Sequence, residues 1–322
     1  MKADRGYVEA PIAEGTDLAA EIKRLKREKN AVILAHYYAL PEIQDLADFI
    51  GDSLALAQKA EGLDADIIVM CGVHFMGETV KILCPAKKVI VPDLNAGCSL
   101  ADSCPAGELE KFIEAHPGHT VISYVNTSAA VKALTDIVVT SGNAMKIVSA
   151  LPADEKIIFG PDRNLGNYIN SQTGREMVLW DGACHVHERF SVEKILELKR
   201  EHPEAKVLVH PECPAPVRVL ADKTGSTAVL LKYAQESAAR EFIVATESGI
   251  LHEMQRTCPD KVFIPAPPDD ETCACNNCSY MKLNTLEKLY LSLKYELPVV
   301  EVDPAVAERA RLPIERMLEM SK

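Results

Sequence analysis

The chain of 322 residues exceeds the usual size of a single hydrophobic core, so two or three units of roughly 100 residues are expected. With 48% hydrophobic, 5% aromatic and 25% charged residues it has the composition of a soluble globular protein, and a net charge of -12 argues against nucleic acid or an anionic membrane as partner. No window approaches the roughly 18 apolar residues of a membrane span, and residues 1–17 carry no apolar core of signal-peptide length, so the chain is read as cytoplasmic.

In chain order, residues 17–29 read as an amphipathic helix with Leu18, Ile22 and Leu25 on one face. The apolar run Ile33-Leu34-Ala35-His36 follows, then a helix-length stretch at 46–60 containing the turn Gly51-Asp52-Ser53. Two more apolar runs, Ile67-Ile68-Val69-Met70 and Val89-Ile90-Val91, lead to Cys98. The amphipathic string Leu109-Glu110-Lys111-Phe112 then opens a second copy of the same order: Val121-Ile122-Ser123-Tyr124, Ser141-Gly142, Ile157-Ile158-Phe159, Val178-Leu179-Trp180 and Cys184. A third copy starts at Val192-Glu193-Lys194-Ile195 and runs through Val207-Leu208-Val209-His210, Gly225-Ser226-Thr227, Phe242-Ile243-Val244-Ala245 and Val262-Phe263-Ile264 to Cys278. The shift is 88 residues from His36 to Tyr124 and 86 from Tyr124 to His210. Ser191 and Thr285 suit helix N-caps, 228–237 reads as a helix, and the tail from Pro304 reads as two short helices broken at Pro313.

Short Val- and Ile-rich runs without strict alternation are the pattern of strands buried on both faces of a parallel sheet, and the helix-length stretches between them make βαβ units. The fold expected is α/β, with three αβα repeats of three or four parallel strands related by a pseudo-threefold axis. The repeats are placed at 1–106, 107–188 and 189–322, the last with the C-terminal tail.

Ten cysteines spread through a long chain of this kind are reduced thiols rather than a disulfide framework, which makes metal binding the leading role for some of them. Cys98, Cys184 and Cys278 recur with the repeat and would converge on its axis. Three thiolates without a fourth suit an iron-sulfur cluster with one open iron better than structural zinc, which takes four ligands. Cys71, Cys84, Cys104, Cys213 and Cys258 have no repeat partners and read as small buried hydrophobes. Cys273, Cys275 and Cys278 form a C-x-C-x-x-C string that a zinc ion would also suit; Cys278 is chosen because the repeat's amphipathic string follows it.

Ligands of such sheets gather beyond the carboxyl ends of the strands. His36, Tyr38, Tyr124, Asn126, His210 and Glu212 stand at the ends of the three first strands with a spacing of two, so each pair points one way. A lone His there is usually a core group, but a His or Tyr at all three equivalent positions points to acid/base and hydrogen-bonding roles. Ser53, Ser141, Ser226 and Thr227 stand at helix starts, where singly each is an N-cap and together they suggest an anion site. His185 and His187 are assigned no role.

Ala35-His36-Tyr37-Tyr38, Gly72-Val73-His74-Phe75-Met76-Gly77-Glu78-Thr79, Ala96-Gly97-Cys98-Ser99-Leu100-Ala101, Pro161-Asp162-Arg163-Asn164-Leu165-Gly166, His210-Pro211-Glu212-Cys213, Gly225-Ser226-Thr227 and Met281-Lys282-Leu283-Asn284 together resemble the quinolinate synthase family. The similarity runs from about residue 20 to 300 and takes in all three repeats. It implies a pseudo-threefold enzyme around a 4Fe-4S cluster held by Cys98, Cys184 and Cys278. The implied reaction condenses iminoaspartate with dihydroxyacetone phosphate to quinolinate, with a functional link to an enzyme that makes iminoaspartate. His36, Tyr38, Ser53, Tyr124, Asn126, Ser141, His210, Glu212 and Thr227 match positions that line the family's substrate site. The competing expectations are another open-iron 4Fe-4S dehydratase and a non-catalytic iron-sulfur electron carrier or sensor.

Overall fold

The computed structural model describes residues 3–269 and 276–322. Three four-stranded sheets, parallel throughout, account for the three sequence repeats. The first contains β1 (Ala31–His36), β2 (Phe49–Gly51), β3 (Ile67–Cys71) and β4 (Lys88–Ile90) in the order β2-β1-β3-β4. The second contains β5 (Thr120–Tyr124), β6 (Ile137–Val139), β7 (Ile157–Gly160) and β8 (Val178–Leu179) in the order β6-β5-β7-β8. The third contains β9 (Lys206–Val209), β10 (Lys223–Thr224), β11 (Glu241–Ala245) and β12 (Val262–Pro265) in the order β10-β9-β11-β12.

The inner strands β1, β3, β5, β7, β9 and β11 are the Val- and Ile-rich runs, and nearly all their residues are buried because helices cover both faces. The fourth strand of each sheet, β2, β6 or β10, lies where the sequence suggested only a turn. Each is two or three residues long and sits at an edge, too short for an apolar pattern to announce it. Residues 46–60 are accordingly not one helix: the chain forms β2 and then the helix Ser53–Glu61.

One aspartate per repeat fixes the return to the edge strand. The carboxylates of Asp48, Asp136 and Asp222 each accept the backbone N–H of Ile33, Val121 or Val207 at 2.8 Å. In the opposite direction, the backbone N–H of each aspartate donates to the carbonyl of the same residue at 2.9 Å. Three identical two-way latches at one sequence separation confirm the register of the repeat.

The C-terminal segment closes the molecule onto its start. Helix Leu286–Tyr295 packs beside helix Leu18–Glu28, and Leu289, Tyr290, Leu291 and Leu293 join the core against β1 and β3. The tail is one helix, Pro304–Met320, rather than two broken at Pro313. An interior proline costs about 3 kcal/mol, but Ile314 and Met317 are fully buried against the first and second repeats, each contributing about 1.5–3 kcal/mol. Packing therefore outweighs the lost hydrogen bond.

Candidate active site

The carboxyl ends of the three sheets face one cavity. Its wall includes His36, Tyr38 and Ser53 from the first repeat, Tyr124, Asn126 and Ser141 from the second, and His210, Glu212 and Thr227 from the third. Cys98, Cys184 and Cys278 line it too, so twelve of the thirteen residues singled out from the sequence meet in one place. Ser226 does not reach the wall. Its side chain is the N-cap of helix Thr227–Glu236, with the hydroxyl accepting the Val229 N–H at 3.4 Å.

The three cysteines occupy one structural position. Two residues before each, the carbonyls of Ala96, Gly182 and Asn276 accept the N–H groups of His74, Arg163 and Ser248, which follow β3, β7 and β11. The carbonyls of Cys98, Cys184 and Cys278 then each accept the N–H four residues on, from Asp102, Glu188 and Lys282. This double match fits Cys278 into the repeat; Cys273 and Cys275 lie outside the described residues. Cys71, Cys84, Cys104, Cys213 and Cys258 are buried in packing positions.

Burial pushes the Cys98 thiol up to about 12 and raises Cys184 and Cys278, and the Cys278 and Cys98 sulfurs add to the shifts of Cys98 and Cys184 respectively. Three buried thiols that line one cavity become thiolates together when a positive centre is placed among them. The donor set therefore fits a thiolate-ligated metal group. Cys184, His187 and Glu212 also bring donor atoms within 4.8 Å of one another, a second grouping with metal-ligating chemistry.

His187, which its sequence neighbourhood left without a role, stands at the centre of the polar wall. It is 3% exposed, stacked on His210 at 4.5 Å, with Nδ1 3.2 Å from Cys184 Sγ and 3.0 Å from Glu212 Oε2, and Nε2 2.9 Å from Thr246 Oγ1. Thr246 Oγ1 is 2.8 Å from Tyr38 Oη, which is 2.8 Å from Thr227 Oγ1. Tyr124 Oη donates to the other oxygen of Glu212 at 2.5 Å. One proton order satisfies every link: Thr227 to Tyr38 to Thr246 to His187 Nε2, with His187 Nδ1–H and Tyr124 both donating to an ionised Glu212. This chain joins Tyr38 to Tyr124 across all three repeats.

The electrostatics agree with that order. Burial alone would raise Glu212, but adjacent His187 and the hydrogen bonds from His187 and Tyr124 outweigh it and hold the carboxyl below the ordinary carboxylate value. His210 is itself pushed down to about 3 by burial and by His187, so it is neutral at ordinary pH, and the hydrogen bond from His187 is the contact that keeps Glu212 ionised. Burial and then Lys282 lower His36 to about 3. In both rings Nδ1 accepts a backbone N–H two residues on, His36 from Tyr38 at 3.1 Å and His210 from Glu212 at 3.4 Å. The proton of each neutral ring is then on Nε2, which makes His36 and His210 hydrogen-bond donors rather than bases. Burial raises Tyr38 and Tyr124 well above the ordinary tyrosine value, so both remain O–H groups.

Acids back two of the three cysteines. Asp162 Oδ2 accepts the Cys184 N–H at 3.3 Å, and Glu247 Oε1 accepts the Cys278 N–H at 3.0 Å and pairs with Lys282 Nζ at 3.0 Å. Val73 holds the equivalent place in the first repeat, after β3. Among the described residues the cavity wall contains no Lys or Arg, so an anionic ligand meets hydroxyls, imidazole N–H groups and helix starts instead. Two of those starts open helices of nine and ten residues, Ser53–Glu61 and Thr227–Glu236; Ser141 precedes a shorter one, Ala144–Ala150.

Residues 20–319 match the family described as NadA: Quinolinate synthetase A protein. The quinolinate synthase of Synechococcus sp. is 56% identical over 100% of this chain and 99% of its own length. That of Nostoc punctiforme is 59% identical over 95% and 94%, and that of Chloroherpeton thalassium 56% over 95% of both. A chain that matches these relatives from end to end, with a cavity built from all three of its repeats, belongs to the quinolinate synthase family and is an enzyme.

Proposed function

We propose that the protein condenses iminoaspartate with dihydroxyacetone phosphate to form quinolinate, releasing one phosphate and two waters, and that Cys98, Cys184 and Cys278 hold a 4Fe-4S cluster. The observation that carries this reading is the meeting of three repeat-equivalent cysteines with the Tyr38-to-Tyr124 hydrogen-bond chain in a single cavity. With three protein thiolates, such a cluster leaves one iron able to accept a substrate oxygen or nitrogen and to assist loss of water as a Lewis acid.

The remaining roles fall to the chain's own groups. Glu212 is the ionised carboxylate of the site and serves as the proton acceptor toward substrate, with the Tyr124 O–H held on it at 2.5 Å. Tyr38, a neutral O–H that accepts from Thr227, donates to a leaving or carbonyl oxygen when its hydrogen turns from Thr246 to the substrate. His36 and His210 offer Nε2–H to substrate carboxylates, while Asn126, Ser53, Ser141 and Thr227 complete the anion-holding wall. A dianionic substrate entering a wall without Lys or Arg is held by many neutral donors, and the N-terminus of helix Thr227–Glu236 adds to their field, whereas that of Ser53–Glu61 is taken by the Asp52 carboxylate.

Iminoaspartate would come from an enzyme that oxidises the amine of aspartate, which gives the protein a functional link to that enzyme. Among the described residues no helix is long and apolar enough to cross a membrane. The decisive experiment is anaerobic: protein reconstituted with iron and sulfide, given iminoaspartate generated in situ and dihydroxyacetone phosphate, with quinolinate quantified chromatographically. Iron-loaded protein that leaves both substrates untouched would overturn the reading.

A second metal reading, a single ion on Cys184, His187 and Glu212, draws on the 4.8 Å grouping of their donor atoms. It differs in a measurable way. His187→Ala should retain its full iron and sulfide content if the three cysteines bind a cluster, and lose metal if His187 is a ligand.

A further inference from the structure

The short helices Pro41–Gln44, Ala129–Lys132 and Ala215–Arg218 each end on a long hydrogen-bond donor: Gln44, Lys132 and Arg218. These positions are 88 and 86 residues apart, the same shifts that relate the strand ends. Each donor turns back onto the loop after its own first strand. Gln44 Nε2 donates to the carbonyls of Tyr37 at 3.0 Å and Ala39 at 2.9 Å. Lys132 Nζ donates to Val125 at 2.8 Å and to Thr127, and Arg218 Nη1 to Pro211 at 3.4 Å and to Cys213. The acceptors are equivalent pairs, and the residue between them is Tyr38, Asn126 or Glu212.

Each donor also reaches a neighbouring repeat, always at one position. Gln44 Nε2 lies 3.0 Å from the Gly249 carbonyl in the third repeat, and Arg218 Nη1 3.2 Å from the Asn164 carbonyl in the second. Lys132 Nζ lies 5.3 Å over the ring of Phe75 in the first. Phe75, Asn164 and Gly249 each stand one residue after the carbonyl-paired His74, Arg163 or Ser248 that follows β3, β7 or β11, so the contacts run round the ring in one sense. Gly249 shows how closely the parts approach, because a Cβ there would fall 2.7 Å from Tyr38 Cα and 2.9 Å from the Tyr37 carbonyl oxygen.

Gln44 is 1% exposed and Lys132 0%, so both have given up water for these carbonyls. A buried ammonium facing backbone oxygens and an aromatic ring is a costly way to fill space, and an apolar side chain would pack as well. What the donors provide is a fixed separation between the two carbonyls that flank a cavity residue.

We propose that Gln44, Lys132 and Arg218 are positioning residues for the reaction: each clamps the loop carrying Tyr38, Asn126 or Glu212 and docks it on the next repeat. The proposal rests on the reading of that cavity as the substrate site. It is tested with Gln44→Met and Lys132→Met, which keep length and remove the donors, beside Lys132→Arg and Arg218→Lys, which keep them. All are reconstituted as holoenzyme and assayed for kcat, KM, iron content and melting temperature.

A displacement of order 1 Å at a reacting group can lower the rate on the order of a hundredfold, so the methionine variants should lose about ten- to a hundredfold in kcat per bound cluster. The donor-preserving variants should recover most of it at similar iron content. Gln44→Met involves no charge and tests the clamp even if Lys132→Met fails to fold. If the wild type makes quinolinate and Gln44→Met matches its kcat and KM while only the melting temperature falls, these residues serve stability alone and the proposal is overturned. A wild type that makes no quinolinate instead overturns the reading of the cavity.

Discussion

The base of each repeat and its carboxyl end have diverged to different degrees. At the base, Asp48, Asp136 and Asp222 are the same residue making the same two-way latch to the first strand. At the carboxyl end the equivalent pairs are His36 with Tyr38, Tyr124 with Asn126, and His210 with Glu212, all different in chemistry. The latch answers a backbone requirement that every copy of the sheet shares. The cavity residues answer a ligand that has no threefold symmetry, and only the cysteines remain threefold there.

This contrast is most strongly tested at the cysteines. Replacing Cys184 by Ala should abolish turnover and the iron-sulfur EPR and absorption spectra together; Cys98→Ala and Cys278→Ala should do the same. Full metal content in Cys98→Ala and Cys184→Ala would instead favour a site on Cys278 and its near neighbours.

The next largest effect is expected at Glu212, among the described residues the one carboxylate of the wall that its neighbours lower against burial. Glu212→Gln keeps the shape and removes the base, so kcat should fall about 10²- to 10⁴-fold with iron content unchanged. His187→Ala should cost about 10- to 100-fold in activity through the lost orientation of Glu212 and Cys184. Equal activity in wild type and His187→Ala would break the hydrogen-bond chain as a functional unit.

At the base, substitution should act alike in all three repeats and leave chemistry alone. Asp48→Ala, Asp136→Ala and Asp222→Ala should each lose about 1–2 kcal/mol of stability in denaturant titrations, with kcat retained. A loss confined to one repeat would show that the latches are not equivalent. The smallest effect is a pH dependence at Asp222. Burial would raise its carboxyl, but the Val207 N–H and the Lys206 ammonium lower it more, so the folded value lies below the ordinary 3.8. A depressed carboxylate stabilises above its unfolded value and loses that contribution as pH falls through the folded one. Melting temperatures of wild type and Asp222→Asn should therefore differ near neutral pH and converge below 3.8.

The inner strands and the three cysteines were legible because buried parallel strands advertise themselves as continuous apolar runs and because the chain says the same thing three times. The edge strands β2, β6 and β10 were not: β10 is Lys223–Thr224, two polar residues with no pattern to read. The single tail helix is not legible at Pro313, where local propensity opposes a burial visible only in three dimensions. The place of His187 is not legible either, because standing three residues from Cys184 does not reveal which way the turn His187–Arg189 aims its ring. A signal for the clamps was present in the parallel strings Pro41-Glu42-Ile43-Gln44, Ala129-Ala130-Val131-Lys132 and Ala215-Pro216-Val217-Arg218, each followed four residues later by the latch aspartate. Gln, Lys and Arg look unrelated until their shared donor geometry is seen.

The helix Leu286–Tyr295 that completes the first core lies near the far end of the chain, and just beyond it Glu296 pairs with Lys29, 267 residues away in sequence. A growing polypeptide cannot finish its first repeat until nearly all of the chain has emerged. Such a non-local closure carries a loop-entropy cost before its contacts form, which makes it a late and slow step of folding. The apolar strip that Leu289 and Leu293 cover stays open during synthesis, a natural target for chaperones. Truncation just before residue 286 should accordingly destabilise the N-terminal repeat more than the one from which residues were removed.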